Sequence, residues 1–153
     1  KVRESGDLLG PFDIDQIMRK LPHRYPFLMV DRVLALEDNH RILCSKCVTI
    51  NEPFFPGHFP GKPVMPGVMM LEAMAQSAAL LARFSTAGIP DDKWVFLVGA
   101  NDVKWKRMVR PGDTLHIEMK VVKKRRPLWI LEGACTVDGK VVASGTISAM
   151  ESD

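Results

Sequence analysis

A chain of 153 residues is sized for one domain with a substantial core. Its 46% hydrophobic and 25% charged residues are the proportions of a soluble globular protein, with no apolar run long enough for a transmembrane span and no solenoid-period repeat. A net charge of only +3, with no helix-turn-helix, zinc-finger or aromatic RNA-binding motif, argues against a nucleic-acid binder.

Residues 1–153 read as a single domain, with 1–12 a poorly ordered extension. Asp13 to Lys20 predicts a short helix with Ile14, Ile17 and Met18 on one side. Phe27 to Leu36 reads as a strand, which Asp38-Asn39 turns into a second from Arg41 to Ile50. A Pro/Gly-rich loop follows and runs into a helix from Val68 to Phe84, roughly 25 Å long at about 1.5 Å per residue. Further strands are predicted near Trp94 to Val98, Asp102 to Met108, Thr114 to Lys124 and Leu128 to Val137. Asp138-Gly139 signals a type I′ hairpin into a last strand from Lys140 to Met150. Two strands, a long helix, then strands in hairpin order predict an α+β domain with an antiparallel sheet, against a parallel nucleotide-binding sheet.

The loop and helix between Pro53 and Phe84 break two ordinary rules. Pro56, Pro60, Pro63 and Pro66 each fix φ, and Phe54, Phe55, Phe59, Val64 and Met65 are too apolar for a solvated linker. The loop is therefore expected to be ordered and packed, and to hold His58 in one place. The helix is apolar on all faces, with Met69, Met70, Leu71, Met74, Ala78, Leu80 and Leu81 around a lone carboxylate, Glu72. A buried carboxylate needs a partner or a shifted pKa. Glu72 is either a structural acid paired with a distant arginine or half of an acid/base pair with His58. Gln76, one turn on, is placed to orient it. Gly67 opens the helix, where the first N–H groups lack partners and a residue without a side chain lets a carbonyl oxygen approach. A loop histidine, an N-terminal amide and a helix carboxylate suit proton abstraction beside a carbonyl.

The strings that carry these residues are long. Gly57-His58-Phe59-Pro60, Met65-Pro66-Gly67-Val68 and Leu71-Glu72-Ala73-Met74-Ala75-Gln76 resemble the catalytic segment of the bacterial-type (3R)-hydroxyacyl-[acyl-carrier-protein] dehydratases. The stretch from Leu21 to Val33, with Asn51-Glu52-Pro53-Phe54-Phe55-Pro56 and Arg110-Pro111-Gly112-Asp113-Thr114-Leu115, is similar to that family in order and spacing, over about residues 13 to 150. The resemblance implies a hotdog fold, a sheet wrapped around the central helix. It also implies loss of water from a 3-hydroxyacyl thioester on acyl carrier protein, without metal, cofactor or nucleotide. By position it makes His58 and Glu72 catalytic, with Gly67 polarising the thioester carbonyl and Val68, Phe59, Gln76 and Phe96 contacting substrate. On this reading His58 removes the C2 proton, and Glu72, held protonated by apolar surroundings, donates to the departing C3 hydroxyl. A glutamate at position 72 resembles the general-chain-length branch, where the dehydratase/isomerases carry aspartate. Ala100-Asn101-Asp102-Val103-Lys104-Trp105 departs from the family's Ile-Asp pair before Val-Lys-Phe, and Phe96 falls near a gating tyrosine of some relatives. Relatives form dimers that extend the sheet, often three to a hexamer, with the histidine of one protomer meeting the glutamate of the other.

Other features carry blander readings. Cys44 and Cys47 have C-x-x-C spacing, but within a strand they face opposite sides and no second pair completes a zinc site. His23, between Pro22 and Arg24, is a structural hydrogen bonder or a ligand contact; His40 beside a turn is expected to be exposed and His116 to lie on a polar strand face. The cluster of Lys104, Lys106, Arg107 and Arg110, and that of Lys123, Lys124, Arg125 and Arg126, are solvated faces or a docking surface for an acidic carrier. Met69, Met70 and Met74 either pack the core or line an acyl tunnel. A hotdog thioesterase and a catalytically dead acyl-binding module are the rival functions. An opening at Lys1 reads as a missing or processed start, in a bacterial cytoplasm or, after loss of a transit peptide, a plastid.

Overall fold

Covering a helix that is apolar on nearly every side takes a seven-stranded sheet. The structure, a computed structural model, describes residues 6–153. The elements are β1 (Leu8–Leu9), α1 (Ile14–Lys20), β2 (Arg32–Glu37), β3 (Arg41–Cys47), α2 (Gly67–Phe84), β4 (Trp94–Trp105), β5 (Thr114–Arg125), β6 (Leu128–Val137) and β7 (Lys140–Ser152). The strands run in the order β1-β2-β3-β5-β6-β7-β4, and every neighbouring pair is antiparallel. α2 packs across β3, β5, β6 and β7. This is the hotdog arrangement, and it leaves β4 as an edge strand. Among the described residues no helix is long and apolar enough to cross a membrane.

Several boundaries follow local chemistry. Asp13 caps α1: its side chain accepts from the N–H of Gln16, whose side chain accepts from the N–H of Asp13. Asp138 and Gly139 have φ of 50° and 78°, the pair of left-handed residues that a type I′ turn requires between Val137 and Lys140. The alternation of β5 buries Leu115, Ile117 and Met119 against α2 and leaves His116 on the polar face, as expected.

Other boundaries moved. The strand expected from Phe27 begins at Arg32, because the backbone before it is already bonded elsewhere. Phe27 N–H closes a turn on Arg24 O, and Phe27 O and Met29 N–H are taken by the side chain of Gln76. The second strand ends at Cys47, beyond which Val48 N–H bonds Asp113 O and a turn spans Thr49 to Glu52. The two short strands expected around Gly99 are one, β4. Its ladder with β7 slips between Leu97 and Gly99 and again between Asn101 and Lys104, where Asp102 has a φ of 53°. What reads locally as a break is a bulge. Residues 6–12, expected in the loose extension, are tied to the sheet: Leu8–Leu9 pair with Leu36 and Glu37, and Phe12 bridges Val33 and stacks on Phe84 at 3.8 Å. Residues 1–5 of that extension lie outside the described residues.

The three cysteines are free. Cys44 and Cys135 are buried, and burial pushes both thiols up to about 12; Cys47 is exposed, on the opposite side of β3 from Cys44. His40 departs from its expected exposure. It is half-buried, with Nδ1 2.8 Å from the carbonyl oxygen of Asp38.

Candidate active site

A short 3₁₀ turn, Phe55–Gly57, delivers the loop histidine. Phe55 is buried and anchors the turn, and its carbonyl accepts from His58 N–H at 3.1 Å. The loop then folds on itself, with Val64 N–H on His58 O at 2.9 Å and Met65 N–H on Val109 O at 2.8 Å. An ion pair of buried Lys46 with Glu52, 2.9 Å long, ties β3 to the turn from which the loop departs. The ordered loop expected from its prolines is therefore present, although Phe59 is half exposed. His58 Nδ1 lies 2.6 Å from Val64 O. A carbonyl can only accept, so in the neutral ring Nδ1 carries the proton and Nε2 the lone pair.

Beside this histidine is the N-terminus of α2. Pro66 O accepts from Met69 N–H at 3.0 Å, and Gly67 O accepts from the indole N–H of Trp105 at 2.9 Å. A cavity of about 670 Å³ opens there. His58 from the loop, Gly67, Val68 and Met70 from α2, and Trp105 to Met108 from the end of β4 onward all line it. The lining is chiefly apolar, with Lys106 and Arg107 as its cations.

Glu72 stands elsewhere. Gln76 donates to its Oε1 from Nε2 at 2.9 Å, and His23 Nε2 lies 3.5 Å from the same oxygen. Gln76 is 1% exposed and spends its amide fully: Nε2 also donates to Phe27 O and Oε1 accepts from Met29 N–H, both at 2.7 Å. The carboxylate is therefore held from two sides by polar groups. Its side chain keeps 20% exposure, in place of the apolar surroundings expected of it. Burial lowers the pKa of His23; the Glu72 carboxylate works against that shift and Arg24 adds to it. Glu72 is not part of the cavity lining, and no hydrogen bond joins it to His58 within the protomer among the described residues. Five residues separate it from Gly67, about 140° around a helix of 3.6 residues per turn.

The expected site residues are thus divided. His58, Gly67 and Val68 share the cavity, and Gln76 sits with Glu72. Phe59 stacks on the His58 ring at 4.0 Å but borders a separate groove with Ile50 and Pro60. Phe96 is on the exposed edge strand beside Trp94, outside the cavity. Of the methionines, Met70 lines the cavity and Met74 is packed in the core. Trp105, Met108 and the contact of His23 with Glu72 were not anticipated. Trp105 lies inside the basic cluster 104–110, where an indole among charges was the available signal. The other cluster is partly committed to structure. Lys124 donates to Ala87 O and sits 4.5 Å over the Trp129 ring, and Arg126 forks onto Glu151.

Residues 21–146 match the FabA-like domain family. A 3-hydroxyacyl-[acyl-carrier-protein] dehydratase FabZ of Shewanella sediminis is 50% identical over 140 residues, 91% of this chain and 92% of that one. The chain belongs to the 3-hydroxyacyl-[acyl-carrier-protein] dehydratase family. Proteins of the same name from Rickettsia massiliae and Anaeromyxobacter dehalogenans are 48% and 47% identical, over 92% and 98% of this chain and 97% of each of theirs. Among solved structures, the dehydratase heterocomplex ApeI:P of Xenorhabdus doucetiae superposes with a TM-score of 0.74 at 20% identity, over 90% of this chain and 91% of that one. A hypothetical thioesterase of Streptococcus pneumoniae, with coenzyme A, does so at 0.59 and 12%, covering 78% and 84%. These two likenesses speak for the fold.

Gln76→Leu tests the clamp. The change strands the buried Met29 N–H, at a cost of about 1–3 kcal/mol, and removes the donor to Phe27 O, which lies in a half-exposed residue. Urea unfolding is expected to show at least that loss with an unchanged m-value; stability equal to wild type would mean the loop holds itself.

Proposed function

We propose that the chain dehydrates (3R)-hydroxyacyl groups carried on acyl carrier protein to trans-2-enoyl groups in fatty acid elongation. The observation that carries this reading is the cavity in which a histidine with a free Nε2 stands beside the glycine that opens α2. Nε2 of His58 takes the C2 proton, while Gly67 N–H stabilises the charge that develops on the thioester oxygen. Glu72, oriented by Gln76, protonates the leaving C3 hydroxyl. Glu72 enters the step protonated, so the water that leaves carries its proton with the C3 hydroxyl; the C2–H pair becomes the C2–C3 double bond, and the C2 proton held on His58 returns to Glu72 through solvent before the next turnover. Only protein groups take part. Because the curated relatives are bacterial, we place the reaction in the bacterial cytoplasm.

The separation of His58 from Glu72 supports a site shared by two chains. β4 is an edge strand, and Trp94, Phe96, Leu97 and Val98 are exposed along it. A second copy that pairs there covers the edge and the apolar strip together. We infer a dimer whose sites each take His58 from one protomer and Glu72 from the other, three dimers forming a hexamer. For the carrier, Lys106 and Arg107 at the cavity, with Lys104 and Arg110 nearby in sequence, suit an acidic surface better than the partly committed 123–126 cluster.

His58→Ala and Glu72→Gln are each expected to lower turnover ~10²–10⁴-fold while the fold survives. Ultraviolet absorbance of the conjugated enoyl thioester reads dehydration, and a thiol reagent reads thioester hydrolysis; thiol release without absorbance would make the protein a thioesterase. Co-expressing the two variants tests the shared site. Each mixed dimer has one site with both lesions and one with neither, so random pairing restores about a quarter of all sites. Mixed dimers as inactive as their parents would place each site within one chain. Reversing Lys106 and Arg107 to glutamate is expected to raise KM for carrier-bound substrate at least tenfold and to spare small pantetheine thioesters. Added salt should do the same, since exposed charges are screened within ~8–10 Å; equal losses on both substrates would move the docking face elsewhere.

A further inference from the structure

Gly67 raises a question that the helix alone does not answer. Glycine is the poorest helix former apart from proline, and its backbone is free where an oxyanion donor has to be fixed. The structure shows what occupies the space a side chain would need. A Cβ on residue 67 would lie 2.6 Å from Nε1 and 2.8 Å from Cε2 of Trp105, well inside any permitted contact. The indole is therefore seated against the glycine Cα, and its N–H donates to Gly67 O at 2.9 Å.

Two peptide planes meet at that Cα. The plane that includes Gly67 N–H is held by Pro66 O, which accepts from Met69 N–H; the plane that includes Gly67 O is held by Trp105. Trp105 is itself fixed. It pairs with Ala143 of β7, and the next residue, Lys106, donates its N–H to Val142 O at 2.8 Å. Three residues earlier is the β4 bulge, whose extra residue reverses the alternation of faces before Trp105 is reached.

We propose that Trp105 is a positioning residue for the Gly67 amide. Its indole pins the glycine so that the amide N–H is preorganised for the thioester oxygen, and it is the reason residue 67 has no side chain. This rests on the reading of Gly67 as carbonyl donor, and the tests separate the two. Trp105→Phe keeps a ring and removes the N–H. Since a neutral hydrogen bond is modest in net strength, kcat is expected to fall about 3- to 10-fold, with KM within twofold and a melting temperature lowered by no more than about 2–4 °C. The carbonyl stretch of bound butyryl-pantetheine thioester, which cannot lose water, should shift less from its free value than in the wild type. Unchanged kcat with a full carbonyl shift, or a rise in KM alone, would overturn the proposal and leave the indole a mere wall. A wild-type protein that shifts the carbonyl but forms no enoyl product would instead sink the dehydratase reading. Packing is read separately by melting: the destabilisation caused by Gly67→Ala should shrink by at least half in a Trp105→Ala background. An equal loss in both backgrounds would show that something else requires the glycine.

Discussion

A helix with almost no polar face has to be enclosed, and most of this structure follows from enclosing α2. The sheet covers it with Leu115, Ile117, Met119, Leu131 and Ile147, all fully buried. Burial leaves Gln76, Ser77 and Arg83 little or no water, so each must find a protein partner. Ser77 donates back to Ala73 O. Arg83 donates to Pro90 O and Lys93 O and so holds the segment that leads into β4. Gln76 holds the segment after α1 in the same way. Side chains that cannot be solvated become clips, and the clips position the loops.

The same constraint shapes the site. Glu72 keeps partial exposure, and the glutamine that clips the 24–30 segment also supplies its hydrogen bond. At the first residue of the helix, about one and a half turns before Glu72, the Trp105 ring occupies the space that a side chain on Gly67 would need. Between these points the helix holds a donor and a carboxylate in fixed relation. The histidine loop docks independently, through Phe55, Met65 and the Lys46–Glu52 pair. The helix and the loop are thus each held by contacts of the protein's own.

Charge is divided between architecture and surface. Around the β5–β6 hairpin, Arg126 meets Glu151, which also accepts from the Trp129 indole, and Lys124 closes on Ala87 O. Burial lowers the Lys124 pKa, and Arg126 lowers it further, as expected for a cation set into a packed corner. Lys106 and Arg107 have no such commitments among the described residues and stand at the cavity. Equal-looking runs of basic residues therefore have different duties.

Much of this was legible in the chain itself, because it depends on neighbours a few residues apart. Asp13 with Gln16 starts α1, Asp138-Gly139 makes the last hairpin, and the run from Gly67 to Phe84 admits only a buried helix. The motifs around His58 and Glu72 are contiguous strings, so the family was readable from them. What the sequence could not show is where distant segments meet. Gly99 to Asp102 looks like the end of a strand, yet β7 carries the ladder across it, because the pairing on either side outweighs a local preference of about 1 kcal/mol per residue. Leu8–Leu9 is a strand only because β2 offers an edge. Phe59 and Phe96 look like cavity residues in sequence and point elsewhere once the loop and edge strand are placed. Trp105 reaches Gly67 from 38 residues away, and His23 reaches Glu72 from 49. Composition and spacing determine which elements form, since those energies are local; tertiary packing alone decides which side chains share a cavity, since each such contact is set by the whole enclosure of α2.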